Sequence, residues 1–400
     1  MSKRRKFLKE NCLCTDTGKP IPNVANALVW LGQCASDRFR YDEMAREVSV
    51  VQTSAGKAIE QHPLTENDAT EVQVAMQKDG LTRIGKDVVL QAIAAHADKR
   101  RFHPVREYLG ALSWDGRERL KYAAAAYFGV EQSDYAASIL TMFFISMVAR
   151  IYKPGCKADY MLILEGAQGL CKSTACSIIG GTYFSDGLPD VSHKDASQHL
   201  RNKWLIEVAE LEALNRADAT RIKEYITRPV ERYRPSHARL EVTEPRQCVF
   251  IGTTNSTRYL KDATGGRRFW PLKVKSIDTA RLASDRDQLF AEAVERYRRG
   301  EQWWPDRTFE RQHITPEQEA RYDPDVWLEP ISDYLRGKNQ ILIKQVATDA
   351  IGLNMGSVKR QEQNRIAEVL TQIGWTRSEK KDRRGYFPWV SPSAVNHHAR

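Results

Sequence analysis

Lys172 and Ser173 are the residues of this chain whose types and spacing most clearly suggest chemistry. They follow a short loop that contains Gly166 and Gly169, and they open a stretch with helical character. The apolar run at 160–165 predicts a buried strand before the loop. A strand, a glycine-bearing loop and a helix in this order suit a phosphate site, because backbone N–H groups converge on the anion. The lysine would add positive charge, and the serine hydroxyl would be able to bind Mg²⁺.

The loop departs from the usual phosphate-loop pattern at Cys171. This cysteine stands where G-x-x-x-x-G-K-[ST] has its second glycine, which normally lets the backbone approach phosphates without a Cβ. Two interpretations are open: a nucleotide site of altered affinity, or a strand-loop-helix that contains Lys-Ser by chance. The predicted nucleotide-binding residues are Gly166, Ala167, Gln168, Gly169, Leu170, Cys171, Lys172, Ser173 and Thr174.

Two carboxylates follow a second predicted strand. The apolar residues 204–206 lead directly to Glu207, and Glu210 comes three residues later. A carboxylate beside a phosphate loop can bind Mg²⁺, and a second one can orient the attacking water. An isolated acidic residue at a strand end is more often simply solvated, so this pair gains meaning only from its context.

Asn255 and two arginines complete the order of signals. Asn255 follows a buried strand at 248–251, where its amide would reach the γ-phosphate or would merely cap a turn. Arg267 and Arg268 follow a glycine turn, where they would stabilise the charge of phosphoryl transfer, often across a subunit boundary, or form a surface pair. Four such signals in order, each next to a predicted strand, together favour ATP hydrolysis.

Two basic segments predict contact with DNA. The first surrounds a Pro-Ser turn and suits a hairpin that grips a phosphate backbone, although an ordinary charged hairpin has the same composition. The second lies in the tail, where a helix and a basic turn would bind duplex phosphates or a protein. The first segment comprises Arg232, Tyr233, Arg234, His237 and Arg239; the second comprises Lys359, Arg360, Arg365, Arg377, Lys380, Lys381, Arg383 and Arg384.

The composition agrees with a polyanionic partner and a cytoplasmic location. The 400 residues carry a formal net charge of +10, which favours nucleic acid over a membrane. The charged N-terminus has no apolar core of a secretory signal, and the apolar run Ile139–Ile151 is shorter than a membrane span and predicts a buried helix. The seven cysteines are scattered, which is typical of reduced thiols in the cytoplasm.

The pattern along the chain predicts an α/β protein with four parts. Residues 1–100 form a helical N-terminal region, and 101–155 a helical lead-in. Residues 156–305 alternate strands with helices, which indicates a parallel sheet covered on both faces. Residues 306–400 suggest helices followed by a strand, a basic turn and a strand, the outline of a winged-helix module.

The motifs between residues 100 and 310 resemble the virulence-associated protein E family. Members are phage and prophage ATPases similar to superfamily 3 helicases and primase-helicases. The resemblance rests on HPVREYLGALSWDGRERL, DYMLILEGAQGLCKST, KWLIEVAELEAL, ERYRPSHARLEVTEPRQCVFIGTTN and GGRRFWPL. It implies a P-loop AAA+-like core, dependence on ATP and Mg²⁺, ring assembly and action on replicating DNA. The roles it implies are a phosphate loop at Gly166, Gly169, Lys172, Ser173 and Thr174, an acidic motif at Glu207 and Glu210, a sensor at Asn255 and an arginine motif at Arg267 and Arg268.

We therefore expect an ATP-driven DNA motor, a ring-forming and hexameric helicase that acts on single- or double-stranded DNA in the bacterial host cytoplasm. The first 100 residues are too short for a primase domain and lack an acidic catalytic cluster, so a separate protein would supply any primase. Two alternatives stay open. One is a nucleotide-switched replication initiator or loader that does not unwind DNA. The other is a small-molecule kinase, against which the basic segments argue.

Overall fold

The computed structural model describes most of the 400-residue chain. It describes all residues except 1–2, 55–56, 192–194, 214–215, 236–239, 261–267, 355, 357, 383–384 and 393–400. Five of the predicted site residues lie outside the described residues: His237, Arg239, Arg267, Arg383 and Arg384.

The N-terminal part contains strands as well as the predicted helices. Its described elements are α1 (Lys3–Asn11), α2 (Val24–Cys34), β1 (Phe39–Asp42), β2 (Glu47–Ser54), β3 (Lys57–Pro63), α3 (Glu66–Asp79), α4 (Lys86–Asp98) and β4 (Arg101–Phe102). The strands form one sheet in the order β3-β2-β1-β4. Residues 1–100 were predicted to be helical, and the segment YDEMAREV (residues 41–48) has apolar residues at helical spacing, but it is a strand, a turn and a strand. Arg46, at φ 61°, takes the left-handed conformation at the turn before β2.

The central part builds a sheet of five parallel strands, as the alternating pattern predicted. Its elements are α5 (Pro104–Ala111), α6 (Ala123–Phe128), α7 (Asp134–Tyr152), β5 (Met161–Glu165), α8 (Lys172–Gly180), β6 (Phe184–Ser185), α9 (Asp195–His199), β7 (Leu205–Val208), α10 (Arg216–Ile226), β8 (Val230–Tyr233), β9 (Val242–Pro245), β10 (Val249–Thr254), β11 (Phe269–Lys273) and α11 (Thr279–Arg298), with 3-10 turns at Leu120–Tyr122, Gly181–Tyr183 and Leu211–Ala213. The sheet order is β11-β5-β10-β7-β6, and β8 and β9 form a separate antiparallel hairpin.

This order places three strand ends together. Strand β10 pairs with β5 on one side and with β7 on the other, with Thr254 opposite Glu165 and Ile251 opposite Glu207. In a parallel sheet the carboxyl ends lie at one edge, where ligands of open α/β sheets bind. The phosphate loop, the acidic strand and the Asn255 strand therefore converge at one edge.

Helices cover both faces of the sheet. Leu162 and Leu164 of β5 pack into a core cluster with α7, α8 and α11, whereas Met161 and Ile163 face a second cluster with α10. Alternate residues of a strand point to opposite faces, so both faces of β5 are buried, as its apolar run predicted. Among the described residues, one helix, α7, is long enough and apolar enough to cross a membrane. Its buried side chains in the first cluster are those of a core helix.

The C-terminal part combines short helices with a small sheet. Its described elements are α12 (Arg307–Phe309), α13 (Thr315–Glu319), α14 (Leu328–Leu335), β12 (Gln340–Ile341), α15 (Ile343–Gln345), α16 (Arg360–Gln372), β13 (Thr376–Arg377) and β14 (Trp389–Val390), with π-helical turns at Glu310–Ile314 and Val346–Ala350. The strands pair antiparallel in the order β12-β14-β13. Helices α14 and α16 share an apolar cluster with Trp375 and Trp389, which fixes this sheet against them. The predicted part boundaries stay predictions.

Candidate nucleotide-binding site

Lys172 lies at the start of α8, where its side chain is drawn back into the loop. Its Nζ donates hydrogen bonds to the carbonyl oxygens of Gly166 (2.7 Å) and Ala167 (2.9 Å) and to Oδ1 of Asn255 (2.9 Å). Burial lowers the pKa of Lys172, although the nearby carboxylates of Glu212 and Glu207 oppose this shift. The structure thus joins the predicted lysine and the predicted sensor asparagine by a direct contact.

The loop has one position that only glycine can fill and one where glycine is replaced. A Cβ on Gly166 would lie 2.7 Å from the Val274 carbonyl oxygen, so a side chain there would collide with the backbone after β11. Cys171 is exposed and adopts φ 58°, the left-handed conformation that glycine takes without steric cost. The chain therefore keeps the backbone shape of a phosphate loop at Cys171 and accepts local strain there.

Glu207 connects the acidic strand to both the loop and the sensor strand. Its Oε1 accepts hydrogen bonds from the hydroxyls of Ser173 (2.7 Å) and Thr253 (2.6 Å). The residue is 1% exposed, and its Oε2 has no hydrogen-bond partner among the described residues. A buried carboxylate oxygen left unpaired beside a serine hydroxyl fits an oxygen-ligating cation such as Mg²⁺.

Glu212 belongs to the site but is not among the residues predicted from the sequence. Its carboxylate accepts hydrogen bonds from the Thr254 hydroxyl (2.7 Å) and from the Asn255 backbone N–H (3.2 Å). Burial pushes the pKa of Glu212 up, but these hydrogen bonds and the charge of Lys172 outweigh it, so the pKa is lowered and the carboxylate stays ionised. Glu212 thereby holds the tip of β10, and with it Asn255, in place.

Glu210 has a different position from the other two carboxylates. It is exposed and adopts φ 53° in the loop that follows β7. Its side chain is exposed, whereas Glu207 and Glu212 accept hydrogen bonds from neighbouring hydroxyls. The three glutamates thus differ in how firmly the fold positions them.

Arg268 lies at the opposite end of the sheet from the phosphate loop. It precedes Phe269, which pairs with Met161 at the start of β5, whereas the loop begins after Glu165. Five residues at about 3.3 Å each separate the two ends by roughly 16 Å. Arg268 instead lines a cavity of about 480 Å³ beside Tyr160 and Trp304. It cannot reach the phosphate loop of its own chain in this structure.

The predicted DNA-contacting residues around β8 and β9 lie in two different environments. We call the described residues of this hairpin, 230–235 and 240–245, the core hairpin. Arg232 and Arg234 are exposed. Tyr233 is only 8% exposed, and its hydroxyl donates to Oε2 of Glu244 (2.7 Å). A base therefore cannot stack on the Tyr233 ring in this conformation, and the exposed arginines are the residues available for DNA.

The tail residues also divide into exposed and engaged side chains. Lys380 and Lys381 are exposed between β13 and β14. Arg365 instead forms two hydrogen bonds of 2.8 Å with the Asp325 carboxylate, and its guanidinium lies 3.9 Å from the centroid of the Trp327 ring. This arginine fastens α16 to the segment before α14.

A buried ion pair joins the C-terminal part to the strand that leads into the phosphate loop. Arg321 donates to Glu165 from Nε (2.6 Å) and from a second guanidinium nitrogen (3.2 Å). Their side chains are 9% and 3% exposed. The backbone N–H groups of Tyr259 and Leu260 donate to the Arg321 carbonyl, so the segment after Asn255 joins the same contact. Glu165 directly precedes Gly166, which places this network at the base of the loop.

A family model for the virulence-associated protein E-like domain matches residues 109–323. The chain belongs to this family. The match covers more than half of the 400 residues and contains the phosphate loop, all three glutamates and both strands beside them. It confirms the family that the sequence motifs resemble. No curated protein matches the chain.

Three solved structures show a distant likeness. The A form apo structure of the NrS-1 C terminal region has a TM-score of 0.47 at 12% identity and covers 91% of this chain and 98% of that chain. A further apo structure of the same region has a TM-score of 0.43 at 13% identity, with the same coverage. A mutant RuvB from Thermotoga maritima has a TM-score of 0.23 at 14% identity and covers 65% of this chain and 94% of that chain. These scores are too low to establish a shared fold, so the assignment rests on the family match.

Proposed function

We propose that the chain is an ATP-hydrolysing DNA motor of a phage or prophage, a replicative helicase that works as a ring, with six subunits as the expected number. The observation that carries the proposal is the position of the Lys172 ammonium between the loop carbonyls and Asn255. A bound phosphate would compete for this ammonium, and the lysine would transfer its hydrogen bonds to the β- and γ-phosphates. Nucleotide binding and the state of the sensor strand would then be coupled through one side chain.

The proposed division of labour follows the positions of the carboxylates. Glu210 is exposed beside the site and would orient the attacking water, which an acidic residue does in related chemistry. Glu212 would act as a positioning residue, because it accepts hydrogen bonds from Thr254 and Asn255 at the tip of β10. Asn255 would contact the γ-phosphate once Lys172 releases its amide oxygen.

Mg²⁺ is the proposed cofactor, and Ser173 and Glu207 are the residues that would hold it. When bound, the ion neutralises charge on the phosphates of ATP. The Ser173 hydroxyl already lies 2.7 Å from Glu207, so the two oxygen donors need little rearrangement to face one cation. The unpaired Oε2 of Glu207 is the further support for this assignment.

The position of Arg268 supports action between subunits. An arginine that stabilises phosphoryl transfer must reach the γ-phosphate, and the length of β5 separates Arg268 from its own loop. In a ring of head-to-tail subunits, each interface joins two different surfaces of the same chain, so a residue far from its own site can reach the site of a neighbour. We propose that Arg268, with Arg267 beside it in the sequence, completes the site of a neighbouring subunit.

The parallel sheet with β5 between β11 and β10 supports a P-loop core of the AAA+ type. The C-terminal helices and the three-stranded antiparallel sheet support a winged-helix module that binds DNA. The core hairpin would contact DNA through Arg232 and Arg234. The same C-terminal module also favours a second candidate, a nucleotide-switched initiator or loader that binds DNA without unwinding it.

Steady-state ATP hydrolysis with and without single-stranded DNA tests the proposal. We expect DNA to stimulate hydrolysis, and Lys172→Ala to reduce it by about 100-fold or more, because a charge-stabilising donor is removed. The matched control is Lys99→Ala, which changes an exposed lysine after α4. Full hydrolysis by Lys172→Ala would refute the assignment. Stimulated hydrolysis without strand separation on forked DNA would favour the initiator or loader.

Mixing two inactive variants tests the role between subunits. In a mixed ring, some sites combine the phosphate loop of an Arg268→Ala subunit with the arginine of a neighbouring Lys172→Ala subunit. Such a site is intact, because each subunit supplies the part that the other lacks. An equal, random mixture therefore restores about one quarter of the interfaces and of the hydrolysis. A mixture as inactive as its components would contradict catalysis in trans. It would not contradict the assignment of the ATP site, which the Lys172→Ala variant tests separately.

A further inference from the structure

The strongest feature outside the ATP site is a pair of exposed aromatic side chains in the tail hairpin, by which we mean β13, β14 and the described residues between them (376–382 and 385–390). Tyr386 is 57% exposed and Phe387 is 38% exposed. Among the large apolar side chains that are exposed in the described part of the chain, they are the one consecutive pair. Buried aromatic rings contribute most to stability, so two adjacent exposed rings suggest a binding surface.

The hairpin holds Tyr386 in a defined place. The Asp382 N–H donates to the Tyr386 carbonyl oxygen (2.7 Å), and the Tyr386 N–H donates to Oδ1 of Asp382 (2.8 Å). Gly385, at φ 86°, provides the left-handed turn and donates its N–H to the Asp382 carbonyl oxygen (3.0 Å). At the base, the Ser378 N–H donates to the Pro388 carbonyl oxygen (2.8 Å). Because these bonds already order the hairpin backbone, ligand binding at Tyr386 costs little additional backbone entropy.

Positive charge surrounds the two rings. The Arg377 guanidinium lies 4.8 Å from the centroid of the Phe387 ring, and the Lys381 ammonium lies 5.4 Å from it. Lys380 is exposed next to Lys381. The surroundings of the rings therefore suit a polyanion. Among the described residues, Phe387 is engaged by cations, whereas no ring or cation packs on Tyr386.

These two properties together select the ligand. Phosphate oxygens need cations but no aromatic ring, and the faces of bases within a duplex are already stacked. A single strand presents both phosphates and free base faces, and basic residues interleaved with aromatic residues are the usual means of binding it. We infer that the tail hairpin binds single-stranded DNA by stacking one unpaired base on Tyr386 while Lys380 and Lys381 contact the flanking phosphates.

This inference deepens the proposed function, since it takes DNA as the partner and specifies which form the tail recognises. It replaces a uniform duplex-phosphate contact at the tail with a preference for unpaired bases. An acidic protein segment would use the cations but would gain nothing specific from a base-stacking ring, which makes it the competing occupant that the experiment must separate.

The experiment measures binding of the full chain to a fluorescein-labelled single strand and to a blunt duplex of the same length, by fluorescence anisotropy at fixed salt. We expect Tyr386→Ala to weaken binding to the single strand by about 5- to 150-fold, the range for losing one base stack. Tyr386→Phe should retain the affinity, because the ring remains. Tyr122→Ala, which removes another exposed tyrosine, is the matched control and should leave the affinity unchanged.

A single 2-aminopurine in the strand distinguishes stacking from a merely structural role. Its fluorescence should fall when wild-type protein binds and should not fall with Tyr386→Ala. Equal weakening for strand and duplex, or unchanged binding by Tyr386→Ala, would overturn the inference. Equal loss of poly-glutamate binding in Tyr386→Ala would overturn it in favour of protein docking. If wild-type protein binds no DNA, both the inference and the DNA part of the proposed function fail, whereas ATP hydrolysis lost in Lys172→Ala would still support the ATP site.

Discussion

The buried pair of Glu165 and Arg321 gives a quantitative test of how the C-terminal part is joined to the candidate nucleotide-binding site. We consider three variants: Arg321→Met, Glu165→Leu and the two changes combined. The single change at Arg321 leaves the Glu165 carboxylate buried beneath the phosphate loop without its partner. The double change replaces both charges with apolar side chains of similar length and leaves no buried charge behind.

The magnitudes follow from the burial of both partners. With side chains 9% and 3% exposed, the pair is almost removed from solvent. Removing one partner of such a pair typically costs about 3–5 kcal/mol, whereas replacing both by well-packed apolar residues is often neutral or stabilising. We therefore expect Arg321→Met to lose about 3–5 kcal/mol of unfolding free energy, and the double variant to recover most of that loss.

Urea denaturation followed by tryptophan fluorescence measures these differences, provided that a single transition is observed. Arg336→Met is the matched control, because Arg336 pairs with Asp333 at the surface with side chains 82% and 57% exposed. Such an exposed pair contributes at most about 1 kcal/mol. A double variant as unstable as Arg321→Met would refute the reasoning, since the loss could then not come from an uncompensated charge.

Two further predictions concern Cys171 and His103. Cys171→Gly should relieve about 1–2 kcal/mol of left-handed strain and, after the entropic cost of a new glycine, raise the unfolding free energy by about 0.5–1 kcal/mol. Cys171→Ala, which keeps the Cβ, should show no gain in the same urea titration, and a gain there would contradict the strain. Burial lowers the pKa of His103 to about 4, so stability present above pH about 6.5 is lost as the pH falls towards 4. Between pH 7.5 and 5, wild type should lose about 2 kcal/mol more than His103→Asn, which keeps an N-cap acceptor; equal losses would contradict this.

The sequence was most informative where the chemistry depends on neighbouring residues. The order of strand, loop and helix around Lys172 is local, so spacing predicted this element order and the parallel sheet. The direct contact of Lys172 with Asn255 was not predicted, because it depends on the pairing of β5 with β10. Glu212 was missed because its partners, Thr254 and Asn255, lie on a strand some forty residues away, and no local pattern reports that contact. Its position beside the acidic motif was the one available signal.

Other predictions differed from the structure where one local sequence pattern is compatible with two conformations. The segment YDEMAREV has apolar residues at helical spacing, but its turn at Arg46 and pairing with β2 make it part of a sheet. Tyr233 lies among arginines in the sequence, yet the alternation of β8 turns it inwards to Glu244. The distance from Arg268 to the phosphate loop follows only from the register of β11 on β5. Tertiary pairing decided each of these cases.

The turn after β1 gives the N-terminal part a mechanical connection to the core hairpin. Arg46 donates to the Pro245 carbonyl oxygen (3.0 Å) and lies 3.0 Å from Oε1 of Glu244, the carboxylate that also holds Tyr233 and Arg201. The Asn202 N–H donates to the Met44 carbonyl oxygen (3.1 Å), which adds a backbone link nearby. These contacts join the base of the core hairpin to the N-terminal part. A force that DNA applies to the exposed arginines of the hairpin would therefore be transmitted to the first hundred residues, which would act as its mechanical support.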